Sequence, residues 1–140
     1  IDLDSNLVPN LIDELPAFFI AASRSSGLTM VRGAEELRYK ESDRLEAMGN
    51  ALQSLGVSFN MYEDGMDING FDEQSDLASL IDPIINSFGD HRIAMSSAIA
   101  CSLLDQNSLI LNTDNVNTSF PTFLKTSNQV GLDITLEENS

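Results

Sequence analysis

Two segments are apolar around nearly their whole circumference, and they constrain the chain more than any other feature. One is Ala17-Phe18-Phe19-Ile20-Ala21-Ala22. The other runs from Ile93-Ala94-Met95 to Leu103-Leu104. A helix that is hydrophobic on all sides is buried on all sides, so each must lie inside a layered fold. Each is followed by a short strand pattern, Leu28-Thr29-Met30-Val31 or Ser108-Leu109-Ile110-Leu111. Each then leads through a polar loop into an amphipathic helix. Leu45, Met48, Leu52 and Leu55 mark the first, and Phe120, Phe123, Leu124 and Val130 the second. Gly56 and Gly131 stand where C-terminal caps belong. Strand patterns follow at Val57–Met61 and Asp133–Leu136. Glu63-Asp64-Gly65 signals a hairpin into Met66–Asn69.

The order helix, strand, helix, strand thus occurs twice, over 13–61 and 90–137, with the openings Asp13 and Asp90 separated by 77 residues (90 minus 13). That exceeds the ~20–50-residue period of common solenoids. The pattern predicts an α/β (α+β) architecture of two repeated units, about 1–71 and 72–140, around shared buried helices. The acidic stretch Asp72–Ser87, broken at Pro83, reads as the connector.

With 42% apolar residues in 140, one core is attainable. Twenty-two acidic against seven basic side chains leave a formal charge of −15. Nucleic acid and anionic membrane are therefore poor partners, since both need positive surface. No apolar run approaches the ~20 residues of a membrane span. Cys101 is the sole cysteine, which excludes a disulfide scaffold and suits a cytoplasmic protein. The chain opens Ile1-Asp2-Leu3-Asp4, neither a start Met nor a signal peptide, and is expected to be a piece of something longer.

The few cations are grouped. Arg32, Arg38, Lys40 and Arg44 fall within thirteen residues, and Arg92 follows Asp90 and His91. Inferred helix N-termini lie beside them, and such termini attract phosphate and carboxylate. An acidic protein with a local Arg/Lys cluster suits a small polyanion. Taken alone, the same residues have plainer readings. Asp13, Ser42 and Asp90 could be N-caps, and Lys40 and Arg44 an exposed face paired with Glu36, Glu41 or Asp43. Cys101 lies in an apolar helix, where a thiol is inert. No His, Cys and carboxylate cluster has metal-ligand spacing.

Four strings together are more specific. They are Asp13-Glu14-Leu15-Pro16, Val31-Arg32-Gly33 through Lys40-Glu41-Ser42-Asp43-Arg44-Leu45, Gly89-Asp90-His91-Arg92-Ile93-Ala94-Met95, and Thr118-Ser119-Phe120-Pro121. In order and spacing they resemble the C-terminal part of the EPSP synthase family (3-phosphoshikimate 1-carboxyvinyltransferase) over nearly the whole chain. The sister UDP-N-acetylglucosamine enolpyruvyl transferases look different at Lys40–Arg44 and at Asp90–Arg92.

The resemblance implies two lobes, each of three βαβαββ-type units with buried helices. It implies a monomeric cytoplasmic enzyme, without metal or organic cofactor. That enzyme moves the enolpyruvyl group of phosphoenolpyruvate to the 5-hydroxyl of shikimate 3-phosphate and releases phosphate. This chain would carry half the active site, be inactive alone, and partner the N-terminal remainder of the same enzyme. Asp13 resembles the carboxylate that takes the hydroxyl proton. Glu41 resembles the group that protonates and then deprotonates the methylene carbon. Lys40 resembles the shikimate 3-phosphate contact, and Arg44 and Arg92 the pair that grips the phosphoenolpyruvate carboxylate. Thr118 stands where many members carry a phosphate-contacting Lys. The alternatives are a non-catalytic acidic α/β interaction domain that kept the fold, or a sister enolpyruvyl transferase.

Overall fold

The computed structural model describes residues 1–71 and 82–138. The chain begins with a short helix α1 (Val8–Leu11) and a 3₁₀ turn at Ile12–Glu14. Helix α2 (Leu15–Ser23), strand β1 (Gly27–Val31), a 3₁₀ turn (Glu35–Tyr39), helix α3 (Arg44–Ser54) and strands β2 (Ser58–Tyr62) and β3 (Gly65–Gly70) follow. The strands form an antiparallel sheet in the order β1-β3-β2, with Thr29 opposite Ile68 and Tyr62 opposite Gly65. Helix α2 lies against β3 and α3. Leu15, Phe19, Val31, Leu37, Leu45, Met48, Leu52, Met66 and Ile68 are sealed in the core between them.

The spacing that predicts α3 also explains its packing. Leu45, Met48 and Leu52 lie on one face and are all fully buried, each contributing about 1.5–3 kcal/mol relative to exposure. The helix ends at Gly56, whose φ of 73° only glycine adopts at no cost. Gly56 N–H donates to Gln53 and Val57 N–H to Leu52, so the last carbonyls are satisfied. The expected cap at Gly131 is built the same way.

Strand β4 (Ile84–Asn86) pairs in parallel with β5 (Leu109–Leu111), and between them runs α4 (His91–Ser102). Short helices α5 (Asn115–Ser119) and α6 (Phe123–Gln129) complete the described chain. Helix α4 packs on α2, which joins the two stretches through their apolar helices.

Residues 84–86, expected in the connector, form a strand, because Ile85 is buried beside α3 and Pro83 supplies a carbonyl to Leu109. The rest of that connector, 72–81, lies outside the described residues, and with it the expected boundary between units. Residues 133–136 form no strand, and Ile134 instead exchanges main-chain hydrogen bonds with the Asn128 side chain. Phe120 precedes α6 rather than belonging to it, and Leu124 and Val130 stay exposed. The apolar helices are not covered on every side. Ala17 and Ala21 of α2 and Ile99 of α4 are exposed, and Ala17 and Ile99 line a cleft between the two helices. Among the described residues, no helix is long and apolar enough to cross a membrane.

Candidate functional site

Three loop-to-helix junctions deliver the candidate residues. Asp13 sits in the 3₁₀ turn that leads into α2. Lys40 and Glu41 lie between the second 3₁₀ turn and α3, and Arg44 is the first residue of α3. Arg92 is the second residue of α4. It is placed by a tight turn in which Phe88 and Gly89 take positive φ and Ser87 bonds to the carbonyls of Leu111 and Asn112.

These junctions meet at Arg44, whose side chain is only 1% exposed. Its Nη1 donates to Asp13 Oδ1 at 3.0 Å, its Nη2 to Glu41 Oε2 at 2.6 Å, and its Nε to Asp90 Oδ2 at 2.8 Å. Lys40 Nζ stands 3.5 Å from Asp13 Oδ1 and 2.8 Å from Glu36 Oε1. Arg92 Nη1 donates to the Asp13 carbonyl at 2.7 Å and lies 3.4 Å from Glu14 Oε1. All five residues singled out in the sequence therefore share one cluster.

The carboxylates of that cluster fall into two kinds. Asp90 has no exposed surface. Its Oδ2 accepts from Arg44 and from Ser42 Oγ, and its Oδ1 caps α4 at Arg92 N–H. Burial pushes its pKa up, but the Arg44 bond and charge, Ser42 and the cap outweigh that and hold it below 3.8. No substrate can reach it, so its work is structural. Asp13 and Glu41 keep 48% and 52% of their side chains exposed and are open to chemistry. Burial likewise raises the Asp13 pKa, but Lys40, Arg92 and Arg44 together take it below 3.8. Lys40 is raised, first by its bond to Glu36 and further by the charges of Asp13 and Glu36.

Asp13 caps no helix, whereas Asp90 is a cap as well as a partner of Arg44. Asp43, not Ser42, caps α3, accepting from Glu46 N–H at 3.0 Å. Arg32 and Arg38 leave the cluster. Arg32 pairs with Asp67 at 2.8 Å and stacks 3.9 Å over the Tyr62 ring, and Arg38 turns to the β2–β3 hairpin. The bond from Ser42 and Arg44 to Asp90 spans 48 and 46 residues, and no local spacing signals it. Thr118 is an exposed residue of α5, not the start of the helix after it. A cleft of about 220 Å³ between α2 and α4 reaches the cluster at Asp13 and Arg92 and is otherwise walled mainly by apolar residues, among them Ile20, Met95 and Ile99. Among the described residues, no group of His, Cys, Asp and Glu is placed to hold a metal ion.

Comparison with known proteins gives this geometry a family. The family model for EPSP synthase (3-phosphoshikimate 1-carboxyvinyltransferase) matches residues 1–126. The 3-phosphoshikimate 1-carboxyvinyltransferase of Magnetococcus marinus is 43% identical over 134 residues, covering 96% of this chain and 29% of the relative. That of Legionella pneumophila (strain Paris) is 45% identical with the same coverage. The solved structure of EPSP synthase from Acinetobacter baumannii superposes with a TM-score of 0.90 at 40% identity, covering 99% of this chain and 31% of that one. The chain thus spans about 29% of the length of these two curated relatives. On the family match, the identities and the fold together, the chain belongs to the EPSP synthase family.

Proposed function

We propose that the enzyme containing this chain transfers the enolpyruvyl group of phosphoenolpyruvate to the 5-hydroxyl of shikimate 3-phosphate and releases phosphate. The observation that carries this is the convergence, from three separate segments, of Asp13 and Glu41 on the buried Arg44 and of Lys40 and Arg92 on Asp13. The reaction needs such an inventory. Two polyanions must be held together, and a poorly basic carbon must be protonated.

In the addition step, Asp13 takes the hydroxyl proton as the oxygen attacks C2 of phosphoenolpyruvate, and Glu41 gives a proton to C3. In the elimination step, Glu41 removes a proton from that methyl group as the C2–O bond to phosphate breaks. Arg92 holds the phosphoenolpyruvate carboxylate together with Arg44, whose Nη atoms come free as the half-exposed Asp13 and Glu41 turn to the substrates, and Lys40 holds the shikimate 3-phosphate. The cations that depress Asp13 make it a weak base in the free site. Bound anions would offset those cations and restore its basicity.

The substrates' remaining contacts come from the rest of the same enzyme, which on the family resemblance works as a monomer in the cytoplasm. The test is phosphate release by the complete enzyme from phosphoenolpyruvate and shikimate 3-phosphate. Activity with UDP-N-acetylglucosamine in place of shikimate 3-phosphate would favour the sister transferase. Binding of neither acceptor would favour a non-catalytic domain.

A further inference from the structure

Arg38 is grouped in sequence with Lys40 and Arg44, yet its guanidinium points the other way. Its Nε donates to the Glu63 carbonyl at 2.7 Å, Nη2 to the Tyr62 carbonyl at 2.8 Å, and Nη1 to Asp43 Oδ2 at 2.9 Å. The side chain is 17% exposed. The two carbonyls belong to the tip of the β2–β3 hairpin. The carboxylate is the one that caps α3 through its other oxygen. One planar group therefore ties a hairpin turn to a helix start, which suits a guanidinium and not an ammonium.

Between Arg38 and Asp43 lie only Tyr39, Lys40, Glu41 and Ser42. Tyr39 is 82% exposed, and no residue of the four is buried. None of the four packs into the core, and beyond the side-chain bonds of Lys40, Glu41 and Ser42 it is the ends of the segment that fix its course. Leu37, fully buried, and Arg38 hold one end, and Asp43 and Arg44 hold the other. The same hairpin turn anchors the start of the loop, because Asp64 accepts from Gly33 N–H through its side chain and from Ala34 N–H through its carbonyl.

We infer that Arg38 is a positioning residue, a clamp that holds the Lys40–Glu41 segment where Glu41 reaches Arg44 and Lys40 reaches Asp13. Arg38 touches none of the reacting groups. Its catalytic meaning rests on the roles proposed above for Lys40 and Glu41.

The experiment uses the complete enzyme with Arg38→Met, Arg38→Lys and Asp43→Asn. Loss of the clamp in Arg38→Met lowers kcat by about 10- to 100-fold, the scale expected for an ångström-sized misplacement. It also raises KM for shikimate 3-phosphate, which Lys40 contacts. KM for phosphoenolpyruvate changes little, because Arg44 and Arg92 lie outside the segment. Arg38→Lys recovers part of kcat. Asp43→Asn keeps the cap of α3 but turns an amide NH2 toward Arg38, so it removes one of the three clamp bonds and lowers kcat less than Arg38→Met does. Amide hydrogen exchange quickens over 39–42 in Arg38→Met and stays slow in α2. The inference is overturned if Arg38→Met keeps wild-type kcat. It is equally overturned if exchange quickens uniformly with a fall in Tm, which is the mark of a mere structural brace. If the wild-type enzyme releases no phosphate, the proposed function fails on its own. The exchange measurement then still decides the clamp, and unchanged protection over 39–42 overturns it.

Discussion

Arg44 donates to three carboxylates that differ in their access to water, and that difference separates chemistry from architecture. Asp90 is sealed, while Asp13 and Glu41 are about half exposed. In the complete enzyme, Asp13→Asn and Glu41→Gln are therefore expected to keep a near-normal Tm and to lose about 100-fold or more in kcat, the usual weight of a general acid or base. Asp90→Asn is expected to do the reverse first. Asn still caps α4, but it leaves Arg44 short of its buried countercharge, at a cost of about 3–5 kcal/mol. Paired melting and steady-state kinetics on the three variants check this, and wild-type kcat in Asp13→Asn would refute its catalytic role. Asp90 also predicts a pH dependence. Its folded pKa lies below 3.8, so the unfolded chain takes up the proton more readily. The stability it contributes is complete above that value and is lost as pH falls below it. Acid titration of stability should show a shallower fall in that window for Asp90→Asn than for the wild type. Equal falls would show that the buried pair is not what acid breaks.

At the scale of elements, close approach matters more than propensity at the β2–β3 hairpin. A Cβ on Gly65 would strike the Val31 carbonyl oxygen, which is backbone and cannot swing aside. Gly65→Ala is expected to destabilise by about 1–3 kcal/mol. Because Arg38 is bonded to that hairpin's tip, kcat should also fall. An unchanged Tm would show that the strands part more easily than their register implies. The hairpin, both apolar helices and both glycine caps were legible, since each is written in a few adjacent residues. The missing pieces share a different character. Strand β4 is only three residues long, and each of its residues pairs with one 25 positions further along the chain. The strand pattern over 133–136 has the right alternation, but no described strand pairs with it. The spacing of Phe120, Phe123, Leu124 and Val130 overruns α6, which holds only Phe123 and Leu124, and periodicity does not say what covers an apolar face. At the site, five residues were legible through the family's strings. The second role of Asp90 was not, because it depends on two helix starts meeting in space.

For the molecule as a whole, the decisive quantity is the charge balance of the cluster. Lys40, Arg44 and Arg92 pair with Asp13, Glu14, Glu36, Glu41 and Asp90 within it, three cations against five carboxylates. The chain around them carries −15. On the proposed function the site must hold two polyanions side by side, and a cluster with more carboxylates than cations, in an acidic chain, offers them no net attraction. The additional cations must come from the remainder of the enzyme, consistent with a chain that spans about 29% of its relatives. Water also reaches Asp13 and Glu41, and the α2–α4 cleft opens beside Arg92. The contacts that orient substrates and exclude solvent are thus incomplete. Expressed by itself, the 140-residue chain is expected to bind phosphoenolpyruvate and shikimate 3-phosphate weakly and to release no phosphate above background. The complete enzyme assayed alongside should turn over, and raising ionic strength should weaken its substrate binding as the added cations are screened. Phosphate release by the isolated chain at a rate within about 100-fold of the complete enzyme, less than orientation is worth, would mean that these five residues suffice and that the charge argument is wrong.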